Sequence, residues 1–355
     1  MKKLLLATAI AALSVSAANA APTIYGKAFV GMDYVNVDDE ISAINKDEDS
    51  VQINSYSSRL GFKGAEAITA NTDVIYQYEV GINIDGNNGA DDDANIAFKS
   101  RDTYLGFKND SYGEFRFGRN TSVVDYVNNV ITSGSGFWDN LGSNQLEENE
   151  NGINMTDSGR RDNSVVWKAP KYNGLPLDVA LMYKANESLD DLPGDTDAGF
   201  AAAAMFDAGA GITFGVAYDN DVNLDGDLIR GTATVDMSKY IAYPVTVGGL
   251  YQVADFDDSN KMGGRGDEKE KGFVVSAKMG LNNFAKPAAV YVQYNNTSDV
   301  RGFDGADSDQ IVVGGEYQFR SNMIAHAYVG QNSADNVVGE DYDLFAAGGG
   351  LEYKF

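Results

Sequence analysis

The sequence predicts an all-β fold, a sixteen-stranded antiparallel barrel that spans a membrane with short turns at one end and long connections at the other. Three observations predict it. Apolar and polar residues alternate along most of the chain, long and short connections alternate between the strand-like segments, and the net negative charge is concentrated in the long connections. Stretches with the 3.6-residue period of an amphipathic helix are hard to find.

The alternation gives each strand-like segment one apolar and one polar face. In residues 24–34 the even positions are apolar or glycine, and the odd positions include Lys27 and Asp33. The next segment repeats the scheme, and we expect its apolar face to carry Tyr56, Leu60 and Phe62 and its polar face Ser55, Ser57, Arg59 and Lys63. A soluble β-sandwich or solenoid would show the same alternation, so the connections must distinguish the folds.

The connections alternate in length along about sixteen segments. The long ones fall near residues 38–50, 85–97, 120–159, 186–197, 219–227, 255–271, 295–309 and 331–341. The short ones fall near residues 64–71, 109–112, 170–176, 208–210, 239–243, 281–286 and 319–322. A soluble sandwich has no reason to place every long loop at one end. A transmembrane barrel does, because its periplasmic turns are short and its external loops are long.

The charge follows the same division. The chain has 355 residues, 52 Asp+Glu and 27 Lys+Arg, a formal net charge of −25. The eight long connections hold 38 of the acids and 6 of the bases, and the remainder beyond residue 20 carries a net charge of +5. The sequence therefore predicts an acidic outer rim above a slightly basic wall. The overall charge also excludes a nucleic-acid binder that works through a basic face.

The residue types needed for common catalytic and metal sites are scarce. There is no cysteine, and His326 is the one histidine, so ordinary Ser-His and His-metal arrangements are excluded. Asp221, Asn223, Asp225 and Gly226 fit the first half of a calcium-binding loop, but its twelfth position is Thr232 instead of glutamate. We predict that the protein is not an enzyme and uses no cofactor and no metal.

The first twenty residues have the order of a secretory signal peptide. Met1-Lys2-Lys3 is basic, residues 4–15 are apolar, and Ala18-Asn19-Ala20 is a small-x-small cleavage site. A short membrane anchor is the alternative, although the apolar stretch is shorter than the ~20 residues that a spanning helix needs. We therefore expect a signal peptide at residues 1–20 and an exported barrel at residues 21–355.

Three early motifs resemble those of the Gram-negative general diffusion porins, a family of outer-membrane proteins. They are Tyr25-Gly26-Lys27-Ala28, Arg59-Leu60-Gly61-Phe62-Lys63-Gly64 and Gly113-Glu114-Phe115-Arg116-Phe117-Gly118-Arg119-Asn120. The resemblance implies a water-filled homotrimeric barrel whose third loop, here residues 120–159, folds into the lumen and narrows it. The final strand, which ends at Phe355, resembles the signal read by the barrel assembly machinery.

The resemblance also implies the residues of the narrow waist. A basic wall would comprise Lys27, Arg59, Arg101 and Arg160, with Arg116, Arg119, Arg161 and Lys63 as further candidates because they lie nearby in sequence. In the constriction loop the candidates are Asp125, Phe137, Trp138 and Asp139. Residues 120–159 contain no lysine or arginine, so a basic wall would face an acidic loop and set up a transverse field. Alternatively, the arginines only tie the loop to the wall through ion pairs.

The function expected is passive diffusion of small hydrophilic solutes and ions through the outer membrane. Thr132 and Gly136 stand where the best-known enterobacterial members carry loop carboxylates, so we expect weak selectivity, with a lean toward cations from the acidic rim. The partners expected are two further copies of the chain, outer-membrane lipid and lipopolysaccharide, with no nucleic acid. Two alternatives are a substrate-specific channel with a saturable site and an outer-membrane enzyme or adhesin.

Overall fold

The computed structural model describes residues 22–39, 46–85, 98–133, 136–138, 154–171, 174–186, 198–257, 266–335 and 341–355. The predicted signal peptide at residues 1–20 and the candidate Asp139 lie outside the described residues. Within these ranges no helix has both the length and the apolar character needed to cross a membrane.

The described residues form seventeen strands in chain order. They are β1 (Thr23–Asp39), β2 (Lys46–Ser55), β3 (Arg59–Thr69), β4 (Thr72–Ile82), β5 (Phe98–Asn109), β6 (Gly113–Thr121), β7 (Arg160–Lys168), β8 (Leu177–Lys184), β9 (Gly199–Asp207), β10 (Ile212–Asn220), β11 (Gly226–Asp236), β12 (Val245–Phe256), β13 (Glu270–Gly280), β14 (Ala288–Ser298), β15 (Ser308–Arg320), β16 (Met323–Asp335) and β17 (Asp341–Lys354). Short 3₁₀ helices lie in the connections, the longest of them at Val123–Val127.

The sheet closes on itself. Each strand after β3 pairs antiparallel with its neighbours in the chain, and β17 pairs with β1 from Lys27↔Lys354 to Asp39↔Tyr342. Both β2 and β3 pair with β1, so they are two halves of one barrel strand. The prediction of a closed barrel of sixteen antiparallel strands is confirmed. Closure leaves no unpaired sheet edge, which a lipid environment requires.

The break between β2 and β3 has a local cause. Ser57 has a left-handed backbone with φ of 48°, which interrupts the strand. The Ser58 hydroxyl instead accepts a hydrogen bond from the Phe29 amide at 2.9 Å, and the Tyr56 amide donates to the Phe29 carbonyl. The break turns the Tyr56 side chain inward, where its hydroxyl donates to Asp33. The prediction that Tyr56 shares the apolar face with Leu60 and Phe62 is therefore wrong.

The outer face of the barrel is apolar and the inner face is mixed. On β15 the outward Ile311 and Val313 are each 48% exposed, while the inward Gln310 is 2% exposed. The inner face carries an apolar cluster along β7 to β12, beside buried polar residues such as Arg230 and Gln252, and is mixed along the remaining wall. The exposed outer belt is the surface that a transmembrane barrel presents to lipid.

The two ends differ in connection length, though less strictly than predicted. Residues 70–71, 110–112, 208–211 and 321–322 form tight turns at one end. At the other end the fifth connection spans only residues 221–225, because β10 continues to Asn220 and β11 begins at Gly226. Positive φ angles at Asp221 and Gly226 and a hydrogen bond between them make this short closure possible.

Candidate functional site in the barrel interior

A strand bulge places the first charged cluster on the inner wall. Tyr78 pairs with Thr103 and Val80 with Ser100, so both Arg101 and Asp102 stand opposite Glu79. An extra residue in one strand re-aims the side chains beside it. As a result, consecutive residues of β5 both reach interior partners instead of pointing to opposite faces.

Glu79 collects the bases of this cluster. Arg101 Nε donates to Glu79 Oε1 at 2.5 Å, and Arg59 Nε lies 3.9 Å from Oε2. The Tyr25 hydroxyl donates to the same Oε2 at 2.9 Å. Lys27 stands opposite Arg59 in the β1–β3 register and also lies 4.0 Å from Glu352. Arg59 and Arg101 therefore flank one buried carboxylate, while Lys27 stands opposite Arg59 and lies near a different carboxylate.

Arg160, the fourth predicted wall residue, joins the cluster through Asp102. Its Nε donates to Asp102 Oδ1 at 2.9 Å, and the Thr121 hydroxyl donates to the same oxygen. A cavity of about 290 Å³ is lined by Lys99, Arg101 and Arg160 together with Arg119. The structure therefore brings Arg59, Arg101 and Arg160 together; we call these residues, with Glu79 and Asp102, the arginine cluster.

The further candidates lie in different surroundings. Arg119 lines the cluster's cavity and donates to Asp162 Oδ2 at 2.8 Å. Arg116 pairs with Glu114 at 2.5 Å and lies over the Tyr104 ring. Lys63 lies over the ring of Tyr25, and Arg161 donates to the Asn223 carbonyl at 2.8 Å.

The connection that follows β6 packs against the inner wall. The 3₁₀ helix at Val123–Val127 buries Val123, Val124 and Val127 completely against apolar residues of β7 to β12. Its Ser122 N-cap accepts from the Val124 amide and from the Asn223 side chain at 2.8 Å. Burial of this apolar stripe fixes the start of the connection inside the barrel.

Asp125 of this helix is engaged within the connection. Its Oδ1 accepts from the Asn128 side chain at 2.7 Å and from the Ser158 hydroxyl at 3.3 Å. Burial raises the pKa of Asp125, and the nearby Asp157 carboxylate raises that pKa further. The predicted loop carboxylate therefore links the two ends of the connection.

The aromatic pair farther along the connection is buried in the opposite wall. Phe137 is 5% exposed and Trp138 is 1% exposed, among residues of β1 and of β14 to β17. Trp138 Nε1 donates to the Ala346 carbonyl at 3.3 Å. Gly330 makes this possible, because a Cβ there would lie 2.7 Å from the indole. Gln293 holds the preceding turn by accepting from the Thr132 amide at 2.8 Å.

The returning end of the connection is held by buried polar contacts. Glu270 accepts from the Thr156 amide at 2.6 Å, and Gln252 donates to the Thr156 carbonyl at 2.6 Å. Arg230 has no exposed surface and lies 3.4 Å from Asp157 Oδ1. The connection thus contacts the inner face of the barrel at its start, near its middle and at its end.

Several buried polar residues of the interior were not predicted as site residues from the sequence. Asp33, fully buried, accepts from Asn54 at 2.9 Å and from the Tyr328 hydroxyl at 2.6 Å as well as from Tyr56. The polar-face alternation could have indicated Glu79, because it marks that side chain as inward. No local pattern indicates that Asn223 clamps both ends of the connection, accepting from the Gly159 amide as well as donating to Ser122.

A closed barrel with an apolar outer belt and a charged interior is typical of outer-membrane channel proteins. The chain matches the Gram-negative porin family over residues 7–337, and it belongs to that family. It is an outer-membrane channel and not an enzyme, as predicted from the sequence.

Named relatives support this assignment. An outer membrane porin protein of Bordetella pertussis is 29% identical, over 62% of this chain and 57% of that protein. Outer membrane protein F of Serratia marcescens is 26% identical over 91% of this chain and 90% of that protein. Among solved structures, an anion-selective porin from Comamonas acidovorans superposes with a TM-score of 0.68 at 16% identity, over 95% of this chain and 100% of that one.

Proposed function

We propose that the protein is a general diffusion porin, a water-filled channel through which small hydrophilic solutes and ions cross the outer membrane down their gradients. The observation that carries the proposal is the arginine cluster of a closed barrel, of which Arg101 and Arg160 line a cavity. The burial of Phe137 and Trp138 in the wall favours this function over a solute-specific channel with an aromatic track.

The waist of this channel is formed by residues 120–159 as the constriction loop and by the arginine cluster as the opposing basic wall. The support is that the connection contacts the apolar wall at Val123–Val127, the β14–β17 wall at Trp138 and the β11–β13 wall at Thr156 and Asp157. Four of the five residues of the arginine cluster lie on β3 to β5, and none of the contacts just named, which are those of the described residues, involves these three strands; Arg160 extends the cluster to β7.

The channel is weakly selective, with a lean toward cations. Three guanidinium groups and two carboxylates nearly balance in the arginine cluster, so the local field is modest. The eight long connections carry 38 acids against 6 bases, and this excess enriches cations at the mouth when salt is low. A structural relative is named anion-selective, so the sign of the ion selectivity tests this proposal more sharply than its magnitude does.

The assembly proposed is a homotrimer in outer-membrane lipid and lipopolysaccharide, after removal of residues 1–20 as a signal peptide. A similar barrel from Vibrio cholerae is described in a trimer form. The C-terminal Phe355, whose amide and carbonyl pair with Gly26, is the residue proposed to be read by the barrel assembly machinery.

Reversal potentials and liposome swelling test these proposals. A salt gradient across a bilayer should give a small reversal potential of cation-selective sign, and a clear anion preference contradicts the lean. Deletion of Ser133 to Asp139 should admit larger sugars in the swelling assay, because the deletion removes the buried aromatic pair that holds the loop. An unchanged sugar cut-off contradicts the assignment of the waist.

A further inference from the structure

A second cavity lies at the short-turn end of the barrel interior, apart from the arginine cluster. Its volume is about 590 Å³. One row of paired residues crosses its wall from β5 to β9: Lys108, Glu114, Lys168, Ala180 and Ala203. Directly paired residues share a face of the sheet, so all five lie on the interior side with the buried Ala180 and Ala203. The row is charged at one end and apolar at the other.

The charged end carries a positive charge without a carboxylate partner. Lys168 Nζ lies 4.3 Å from the centroid of the Tyr126 ring, a cation–π contact. In the part of the chain that the structure describes, no carboxylate lies within ion-pair distance of Lys168. Its paired neighbour Glu114 is engaged by Arg116 at 2.5 Å. The Lys168 ammonium is therefore available to an anion in the cavity.

The apolar end of the row offers a surface against which a small organic group can pack. Ala180 and Ala203 are each 5% exposed and lie in the cluster that also contacts Met205 and Tyr126. Burial raises the pKa of the Tyr126 hydroxyl to about 12, further above physiological pH than that of an exposed tyrosine, and the side chain is uncharged. A compact apolar group placed here would touch small side chains and an aromatic ring while its polar end reaches Lys168.

Building on the channel function above, we propose that this cavity is a binding site for monocarboxylates with a short aliphatic or aromatic body. The carboxylate pairs with Lys168, and the body packs against Ala180, Ala203 and the Tyr126 ring. The cavity volume falls within the range of roughly 300–1,000 Å³ that small-molecule sites occupy.

The acidic residues around the cavity restrict the ligand to a single charge. Asp110, Glu114 and Asp178 all line it, and Lys171 is already paired with Asp178. With the first carboxylate at Lys168 and the body on Ala180 and Ala203, a second carboxylate would point away from Lys108, the other lysine of the row, and toward Asp178, and like charges repel. The site should therefore discriminate against dicarboxylates of similar size.

Titration of benzoate against the open-channel current of the purified protein tests the proposal. We expect benzoate to reduce the current saturably, and neither benzyl alcohol nor terephthalate to do so in the same range. Lys168→Gln should weaken the benzoate effect about tenfold, which corresponds to about 1.4 kcal/mol. Ala203→Leu should also weaken it, because the larger side chain fills the cavity without changing a charge.

The matched control is Lys278→Gln, which removes a lysine of β13 that pairs with Glu316 at 2.7 Å. Benzoate binding unchanged by Lys168→Gln, or terephthalate bound as tightly as benzoate, overturns the proposal. An open wild-type channel with no saturable benzoate effect also overturns it and leaves the channel function intact. If the wild-type protein forms no channel in salt alone, the channel function itself fails. The ligand comparison on the wild type stands even if a variant does not fold.

Discussion

Replacement of Glu79 by glutamine should move the ion selectivity toward anions. Glu79 accepts from Tyr25 and Arg101 and lies beside Arg59, so its charge offsets part of the arginine cluster. Glutamine keeps an acceptor oxygen for these donors, so the barrel should still close. The substitution therefore removes one negative charge from the interior with little change in shape.

The size of the shift follows from Coulomb's law. The electrostatic interaction between the Glu79 carboxylate and a monovalent ion about 7 Å away is about 0.6 kcal/mol in a water-like dielectric, and the substitution removes it. Screening at about 0.1 M salt leaves roughly half of that value. Cations lose this attraction and anions lose an equal repulsion, so the ratio of cation to anion permeability should fall about threefold.

Reversal potentials of wild type and Glu79→Gln across the same salt gradient measure this ratio. Glu66→Gln is the matched control, because Glu66 shares the outer face of β3 with the exposed Leu60 and Phe62. The control should leave the ratio unchanged. A Glu79→Gln channel with wild-type selectivity, or with a shift toward cations, refutes the placement of the arginine cluster in the ion path.

Three further substitutions test how the loop is held. Trp138→Ala removes an almost completely buried indole at a typical cost of about 3–5 kcal/mol, so single-channel recordings should show more current noise; a quiet channel contradicts the anchoring role. Asn223→Ala removes the clamp on both loop ends and should lower the thermal unfolding midpoint, whereas Asn296→Ala, which removes one solvent-exposed hydrogen bond to Asp309, should lower it much less. Because burial raises the pKa of Asp125, the loop should be held more firmly to the wall as the pH falls through that raised pKa, and the current noise should decrease. Asp125→Asn should abolish this pH dependence. A pH dependence that persists in Asp125→Asn argues against Asp125 as the titrating group.

Much of the fold could be predicted because period-2 alternation survives along most of the length of the strands, with local bulges such as the one at Arg101 and Asp102. The alternation assigned Tyr56 to the wrong face of the sheet, because the left-handed backbone at Ser57 turns the Tyr56 side chain inward while the pattern of apolar and polar residues continues unchanged. It also failed at the fifth connection, where strand pairing continues to Asn220 and from Gly226. Both failures come from local backbone geometry, to which a hydrophobic pattern is insensitive.

The site could be predicted only in part. Arg59, Arg101 and Arg160 come close together because β3, β5 and β7 are each separated from the next by a single strand of the barrel, which follows from chain order once the fold is known. The bulge that lets both Arg101 and Asp102 face the interior, where Arg101 meets Glu79 and Asp102 meets Arg160, has no sequence signature. Nor could the sequence show that Asp125 is engaged by Asn128 and Ser158, because those contacts depend on how the loop folds back on itself.

The central claim is that this closed barrel conducts as a water-filled general pore. Planar-bilayer recording of the purified protein in simple salts tests it most directly. We predict large open-channel steps that rise with salt concentration and close in three equal parts at high voltage. Silence in this assay, or a current that only one solute supports, would contradict the account.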